Sequence, residues 1–429
     1  MRVAYLIAGA GGMYCGSCLR DNRLVATLIE MGKDVTLIPL YTPIRTDERD
    51  VSEKEIYYGG INVFLQQQTG LFRHTPRVID RLLDAPALLR GVGRFAAKTK
   101  AEHLGALTVS VLRGKDGRQR KELARLVAGL RERGADVVVL PNLMFLGVAE
   151  AIRSELGAAV VCAMSGEDVF LDALPKKFRD ESFDLICRHA RRVNGFLAPT
   201  RYYADRMIER LSLDADVVHH TPMGIVTGDA VREAEPSGPM TIGYLARICR
   251  EKGLETLARA FISLRQAGRD CRLRVAGFLG VADTAYFGDV RTLVRDAGLE
   301  AHVDFVGEVD RAGKRAFLES LHMLCVPTVY PEAKGLYLLE AMDAGVPVVQ
   351  PRAGSFPELI EATGGGVLFE PNTPESLADA LANLLDHDED RVAMGRRGQT
   401  RVRELFTAGV MARETWAVLE RVLGGEMRE

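Results

Sequence analysis

No stretch of the chain approaches the ~18 consecutive apolar residues of a membrane span, which argues against an integral membrane protein. No excess of charge is present either: the net charge is −2 over 429 residues, so bulk electrostatics exclude a general nucleic-acid binder. There is no short-period repeat and no low-complexity tract, which removes solenoids and disordered tails from consideration. Cysteine is sparse and odd in number, seven in all, which does not suit a secreted disulfide framework and points to reduced thiols in a cytoplasmic protein. Cys15 and Cys18 form a C-x-x-C, but no second pair or histidine cluster follows at zinc-finger spacing. The pair is then either a redox dithiol or two small residues packed where a helix starts. The segment Val3–Gly12, preceded by Arg2, has the length of a signal-sequence core. A glycine loop and a helical pattern follow at once, which favours a first buried strand.

What is present is a soluble composition, 47% hydrophobic and 27% charged, in a chain too long for one core. Apolar runs with strand character alternate with helical stripes. In the first half the strands are Val3–Ala8, Val35–Leu40, Val137–Leu140, Ala159–Cys162, Gly195–Ala198 and Val217–His220. One intervening helix covers about Arg120–Arg133, with Leu123, Leu126, Val127 and Leu130 on one stripe. This alternation predicts an α/β protein with parallel, doubly wound sheets. Residues 224–240, rich in glycine, proline and charge, lack periodicity and precede a fresh strand. The expected layout is a first domain over 1–224, a linker over 225–239 and a second domain over 240–407.

The most informative stretch is PTVYPEAKGLYLLEAMDAGVPVV, residues 327–349, in which Glu332 and Glu340 are separated by seven residues. Met323–Val326 reads as a buried strand, Gly335 opens a helix, Gly345 closes it, and Val346–Val349 is the next strand. Glu332 then lies in the loop before a helix N-terminus, which presents unpaired N–H groups and partial positive charge suited to a diphosphate. Glu332 can accept from sugar hydroxyls, and Glu340, down the helix, from both hydroxyls of a ribose. About eighty residues earlier, IGYLARICREKGL places Arg247 and Lys252 in the loop after the strand Thr241–Leu245. Two cations at the carboxyl end of a parallel strand fit a pyrophosphate. Each feature alone also reads as solvated surface charge; together they converge on one ligand.

These pieces, from Met240 to Pro371, resemble the nucleotide-binding half of retaining glycosyltransferases of the GT-B fold, family 4. The matching segments are GYLARICREKGLETLARAF, LRVAGF, VDFVGEVD, EAMDAGVPVV, AGSFPELI and GGGVLFEP, in the same order and spacing. The first half matches more weakly. The resemblance implies two Rossmann-like domains facing a cleft, with a last helix over 408–429 joined to the first domain. It implies a retaining, metal-independent transfer of sugar from a nucleoside-diphosphate donor to a hydroxyl on a glycan, lipid or small molecule, with no cofactor. Arg247, Lys252 and Glu332 would carry the chemistry. Gly335, Leu336, Tyr337 and Glu340 would hold the donor, with Gly11 and Gly12 reaching it across the cleft.

Departures from the family pattern are visible. The glycine loop is not G-x-G-x-x-G, and Pro39-Leu40-Tyr41 stands where a nucleotide-binding acid would be, which argues against an NAD enzyme. The histidine that many relatives place after the N-domain strand is missing; Ser165, Glu167 and Asp168 occupy that strand end. With Gly16 they are the acceptor-side candidates, Glu167 or Asp168 holding an acceptor hydroxyl or acting as a weak base, or Ser165 or Asp168 capping a helix. Lys334 follows the first glutamate and would favour an anionic sugar or point to solvent. No Asp-x-Asp follows a strand towards the same site, so no metal is expected. Residues 90–133 hold twelve Lys or Arg against four Asp or Glu, which suggests either peripheral contact with an anionic inner membrane face or a solvated helix face. A nucleotide-sugar epimerase and a non-catalytic nucleotide-sugar-binding subunit remain as alternatives.

Overall fold

A computed structural model describes residues 1–9, 15–73, 75, 101–228, 231–232 and 234–425. The chain forms two compact units, Met1–Gly224 with Ala408–Glu429, and Ile225–Thr407. Among the described residues each unit contains one six-stranded parallel sheet with helices between successive strands.

The first sheet comprises β1 (Val3–Ile7), β2 (Val35–Pro39), β3 (Val137–Leu140), β4 (Ala159–Ala163), β5 (Gly195–Ala198) and β6 (Val218–His220), in the order β2-β1-β3-β4-β5-β6. The second comprises β7 (Met240–Leu245), β8 (Cys271–Ala276), β9 (Val303–Gly307), β10 (Met323–Cys325), β11 (Val348–Pro351) and β12 (Gly366–Phe369), in the order β12-β11-β10-β7-β8-β9. The central strands β1, β3, β4 and β10 are buried along their whole length. That is why they read as unbroken apolar runs instead of alternating ones.

The strand orders decide where ligands can bind. In the second sheet the chain leaves β7 through β8 to β9, then returns to place β10 on the other side of β7. The connections after β7 and β10 therefore diverge to opposite faces, and a crevice opens between them at the carboxyl ends of the strands. The first sheet reverses in the same way between β1 and β3.

Two expectations shift. The strand expected from Val346 starts at Val348. Val346 gives its N–H to Ala341 O in closing the preceding helix, and Pro347 has no N–H to give. Residues 225–239, expected as a linker, lie within the second unit. Gly228 N donates to Asp343 Oδ2 at 2.9 Å, Arg232 Nη2 to Leu321 O at 2.8 Å, and Glu235 pairs with Arg391 at 2.7 Å. The polar residues that suggest a linker are thus spent on buried partners.

Candidate donor site at the second switch point

β7 ends at Leu245, and its loop passes Arg247 and a short turn, Arg250–Lys252, before the helix Leu254–Gln266. Gly253 joins turn to helix with φ +71°, and a Cβ there would lie 1.9 Å from Pro327 O. Only glycine lets this loop touch the one after β10 so closely. Val329 N then donates to Glu251 O at 3.0 Å, fastening the two loops together.

Lys252 reaches across this contact. Its Nζ lies 2.6 Å from Glu332 Oε2 and 2.7 Å from Tyr330 Oη, and Tyr330 donates to the same Glu332 oxygen at 3.0 Å. The ammonium also stands 5.4 Å from the centre of the Tyr337 ring. Glu332 is 7% exposed. Burial opposes its charge, but Lys252, with Lys334 and the Tyr330 hydroxyl, holds the carboxyl below its usual range. Burial likewise opposes the Lys252 charge, and Glu332 more than restores it. Tyr330, pushed up to about 12 by burial and by Glu332, remains a hydrogen-bond donor.

Glu332 is clamped from a third loop. Gly354 (φ +62°) would place a Cβ 2.5 Å from Glu332 N and O, and Ser355 N donates to Glu332 O at 2.8 Å. Beside it Gly335 (φ +73°) starts the helix Leu336–Asp343. The first N–H groups of that helix, those of Leu336 and Tyr337, have no intrahelical acceptor. Two buried hydroxyls nearby, Tyr337 Oη and Ser355 Oγ, have no hydrogen-bond partner among the described residues. Leaving such a group unsatisfied costs about 1–3 kcal/mol, a cost that a bound polar ligand would remove.

Glu340 lies in the second turn of the helix, and Lys314, on the helix Arg311–Glu319, pairs with it at 2.7 Å. One turn on, buried Asp343 receives Arg315 at 2.9 Å, Arg403 at 3.0 Å and Gly228 N, locking this helix to its neighbours. The structure thus joins Lys252, Glu332 and Gly335. Arg247 stands at the same strand end but is exposed and turns its Nε to Cys249 Sγ at 3.3 Å, apart from the Lys252–Glu332 pair. Tyr330, Lys314 and Ser355 were not found from the sequence. Tyr330 adjoins Pro331-Glu332 and carries a local hint; Lys314 and Ser355 meet the site only through folding.

In the first unit, Gly11 and Gly12 lie outside the described residues. Gly16 opens the helix Gly16–Glu30, and no atom of the described residues lies within 4 Å of a Cβ built on it. Glu167 is buried, accepting Leu143 N at 2.8 Å and Ser165 N at 2.6 Å. Asp168 is buried too, accepting Tyr203 Oη at 3.0 Å and Arg206 Nε at 2.9 Å. Both carboxylates, expected to hold an acceptor hydroxyl or act as a weak base, accept from loop and helix groups of the protein itself. Ser165 Oγ instead receives Arg20 Nη2 at 3.3 Å. Arg20 is buried, paired with Asp21 at 2.6 Å, and Tyr5 Oη completes the group at 3.1 Å from Asp21. Nothing in the local sequence singled out this cluster, because it is assembled from β1, the first helix and the end of β4.

Residues 229–401 match the family model described as Glycosyl transferases group 1. Over 165 residues the chain is 32% identical to the D-inositol 3-phosphate glycosyltransferase of Corynebacterium kroppenstedtii, covering 37% of this chain and 36% of that protein. It is 29% identical to the phosphatidyl-myo-inositol mannosyltransferase of Mycobacterium leprae over 245 residues, 53% of this chain and 63% of that one. The match therefore spans less than two thirds of the length of each of these relatives. In three dimensions it resembles the sucrose-phosphate synthase of Thermosynechococcus elongatus, with TM-score 0.71, 16% identity and coverage of 98% and 99%. It also resembles Anabaena HepE, solved with UDP and glucose, with TM-score 0.67, 15% identity and the same coverage. The two-unit α/β architecture is the GT-B fold of these structures.

The group 1 segment contains Arg247, Lys252, Lys314, Tyr330, Glu332, Gly335 and Glu340. A cavity of about 620 Å³ lies elsewhere, in the first unit, lined by Arg153, Asn194, Asp214, His219 and Arg421 among others. It borders the amino ends of β5 and β6, away from the strand ends that carry the candidate residues. The basic stretch is largely engaged: Arg113 pairs with Glu181, Arg125 with Glu122 and Arg131 with Glu155, while Lys121 donates to Thr75 O. Residues 90–100 of that stretch lie outside the described residues. No described helix is long and apolar enough to cross a membrane.

Proposed function

We propose that this chain is a glycosyltransferase that moves a sugar from a nucleoside-diphosphate donor to a hydroxyl acceptor, with retention at the anomeric carbon and without a metal. The observation that carries the reading is the Lys252–Glu332–Tyr330 group beside the Gly335 helix start, at the switch point between β7 and β10. Lys252 has three N–H donors. Glu332 and Tyr330 take two, leaving one for a phosphate oxygen. Glu332 Oε2 is occupied, while Oε1 receives Lys334 N at 3.4 Å and is the oxygen we assign to a sugar hydroxyl. Arg247, exposed at the same strand end, would add its guanidinium to the diphosphate. Together with the N–H groups of Leu336 and Tyr337, these charges would stabilise the negative charge that builds on the leaving β-phosphate. Glu340, steadied by Lys314, would take the ribose.

Acceptor recognition is assigned to the first unit. Two relatives carry inositol phosphate or phosphatidylinositol in their names, which makes a phosphorylated or lipid-borne polyol the acceptor class to test first. Peripheral contact with an anionic membrane through residues 90–133 accompanies a lipid acceptor, and sedimentation with anionic but not neutral vesicles is its check.

The deciding experiment is calorimetry with UDP, GDP and ADP, paired with a turnover assay on the matching sugar nucleotide. Lys252→Met should weaken diphosphate binding by about 1.5–3 kcal/mol, as for a lost charge-assisted contact. Glu332→Gln should spare diphosphate binding and depress turnover. Unchanged affinity in the lysine variant would overturn the assignment. Conversion of the donor to a second sugar nucleotide without acceptor would show an epimerase.

A further inference from the structure

We propose that Cys15 and Cys18 form a reversible dithiol–disulfide site at the start of the first helix. Cys15 is the residue before the helix Gly16–Glu30, in extended backbone (φ −119°, ψ 121°), and its C=O already accepts Leu19 N at 2.9 Å. Cys18 is the third residue of the helix. These are the N-cap and N3 positions, from which a side chain can reach the other residue's backbone across the first turn. Both cysteines thus stand on the same opening turn of the helix. Both are reduced in this structure.

The pair is chemically asymmetric. Cys15 is half-buried and reaches solvent, whereas Cys18 is 5% exposed, beneath Gly9 and beside Asp21. A thiol at a helix N-terminus is favoured as thiolate by the unpaired N–H groups around it. Cys15 is therefore the attacking sulfur and Cys18 the resolving one. With a low-molecular-weight disulfide RSSR, the Cys15 thiolate displaces one RS⁻ and becomes a mixed disulfide. Cys18 then loses its proton to solvent and its sulfur attacks Cys15 Sγ, displacing the second RS⁻. Both leaving groups take up protons. Two protein thiols are oxidised to one disulfide and RSSR is reduced to two RSH. The bond would tie residue 15, where the glycine-rich opening ends, to the helix that carries Arg20 and Asp21.

The test uses the full-length protein equilibrated in graded mixtures of oxidised and reduced glutathione, quenched in acid and alkylated. Trypsin cutting after Arg2 and Arg20 releases both cysteines in one peptide, Val3–Arg20. The expected result is a reversible switch of that peptide from doubly alkylated to a form lighter than the dithiol by two hydrogens. The Cys18→Ser variant should instead accumulate a glutathione adduct on Cys15, because nothing resolves it. In Cys15→Ser the buried Cys18 should resist glutathionylation. Double alkylation of Val3–Arg20 at every glutathione ratio, or separate adducts on both cysteines of the wild type, would overturn the proposal. If either serine variant fails to fold, the wild-type titration still decides it.

Discussion

Lys314 illustrates how one residue changes the reading of another. Glu340 on a helix is an ordinary solvated carboxylate until a lysine from the helix Arg311–Glu319 fixes one of its oxygens at 2.7 Å. A carboxylate held this way needs less ordering to meet a ribose. Lys314→Met should therefore weaken nucleoside-diphosphate binding by about 1 kcal/mol and reduce the preference for ribo- over 2′-deoxyribonucleotides, both read by calorimetry. An unchanged preference would remove Lys314 from the site. Glu332 carries a pH prediction. Burial opposes its charge, Lys252, with Lys334 and the Tyr330 hydroxyl, outweighs it, and the folded carboxyl sits below its usual range. The folded state then binds fewer protons than the unfolded chain. The stability this provides is present above an unfolded value of about 4.3 and is lost as the pH falls through the folded value. Thermal unfolding of wild type and Glu332→Gln should differ most near neutrality and converge in acid.

Among the elements, it is the loops at strand ends that build the site. Three of them, after β7, β10 and β11, approach one another only because Gly253 and Gly354 lack a Cβ. Gly253→Ala would put a methyl 1.9 Å from Pro327 O in a left-handed backbone. Strain of this kind costs about 1–3 kcal/mol before the clash is counted, so the midpoint of urea unfolding should fall clearly. Gly16→Ala meets no atom of the described residues within 4 Å and starts a helix, so it should be neutral or slightly stabilising. Equal effects of the two changes would contradict this account. β3, β5 and the helix Arg120–Arg133 have the bounds expected from periodicity, because each is set by its own apolar pattern and, for the helix, by Gly134. β11 does not, since its first ladder bond depends on where Val346 spends its N–H.

For the molecule as a whole, the last helix, Ala408–Gly424, closes the hydrophobic core of the first unit although it follows the second in sequence. Met411, Ala412, Trp416, Val418 and Leu419 pack with Leu24, Val25 and Leu28. Lys33 stacks on the Trp416 ring at 4.8 Å. Trp416→Ala should cost the first unit about 3–5 kcal/mol. Scanning calorimetry with and without nucleoside diphosphate should show the loss in a transition that the ligand does not stabilise, while the ligand-stabilised transition of Ile225–Thr407 stays in place. A shift of both transitions by equal amounts would show that the damage is not confined to the first core.

The order of strands and helices was legible in the sequence because a buried parallel strand must be apolar along its length and an amphipathic helix must repeat its stripe. The placement of Lys252, Glu332, Gly335 and Glu340 at a strand-end turn and a helix start was legible as well. A strand-end loop and a helix start are local features, and the residue types that suit a diphosphate and a ribose are few. What only the tertiary structure decided is which of these groups meet. Lys252 and Glu332 stand eighty positions apart and meet because the strand order brings β7 beside β10, while Lys314 and Glu340, twenty-six apart, lie on the helices that flank β10. The same holds for the buried roles of Glu167 and Asp168. A carboxylate's partners come from other elements of the sheet, so its own neighbours in sequence do not reveal whether it is offered to a ligand or used to hold the fold together.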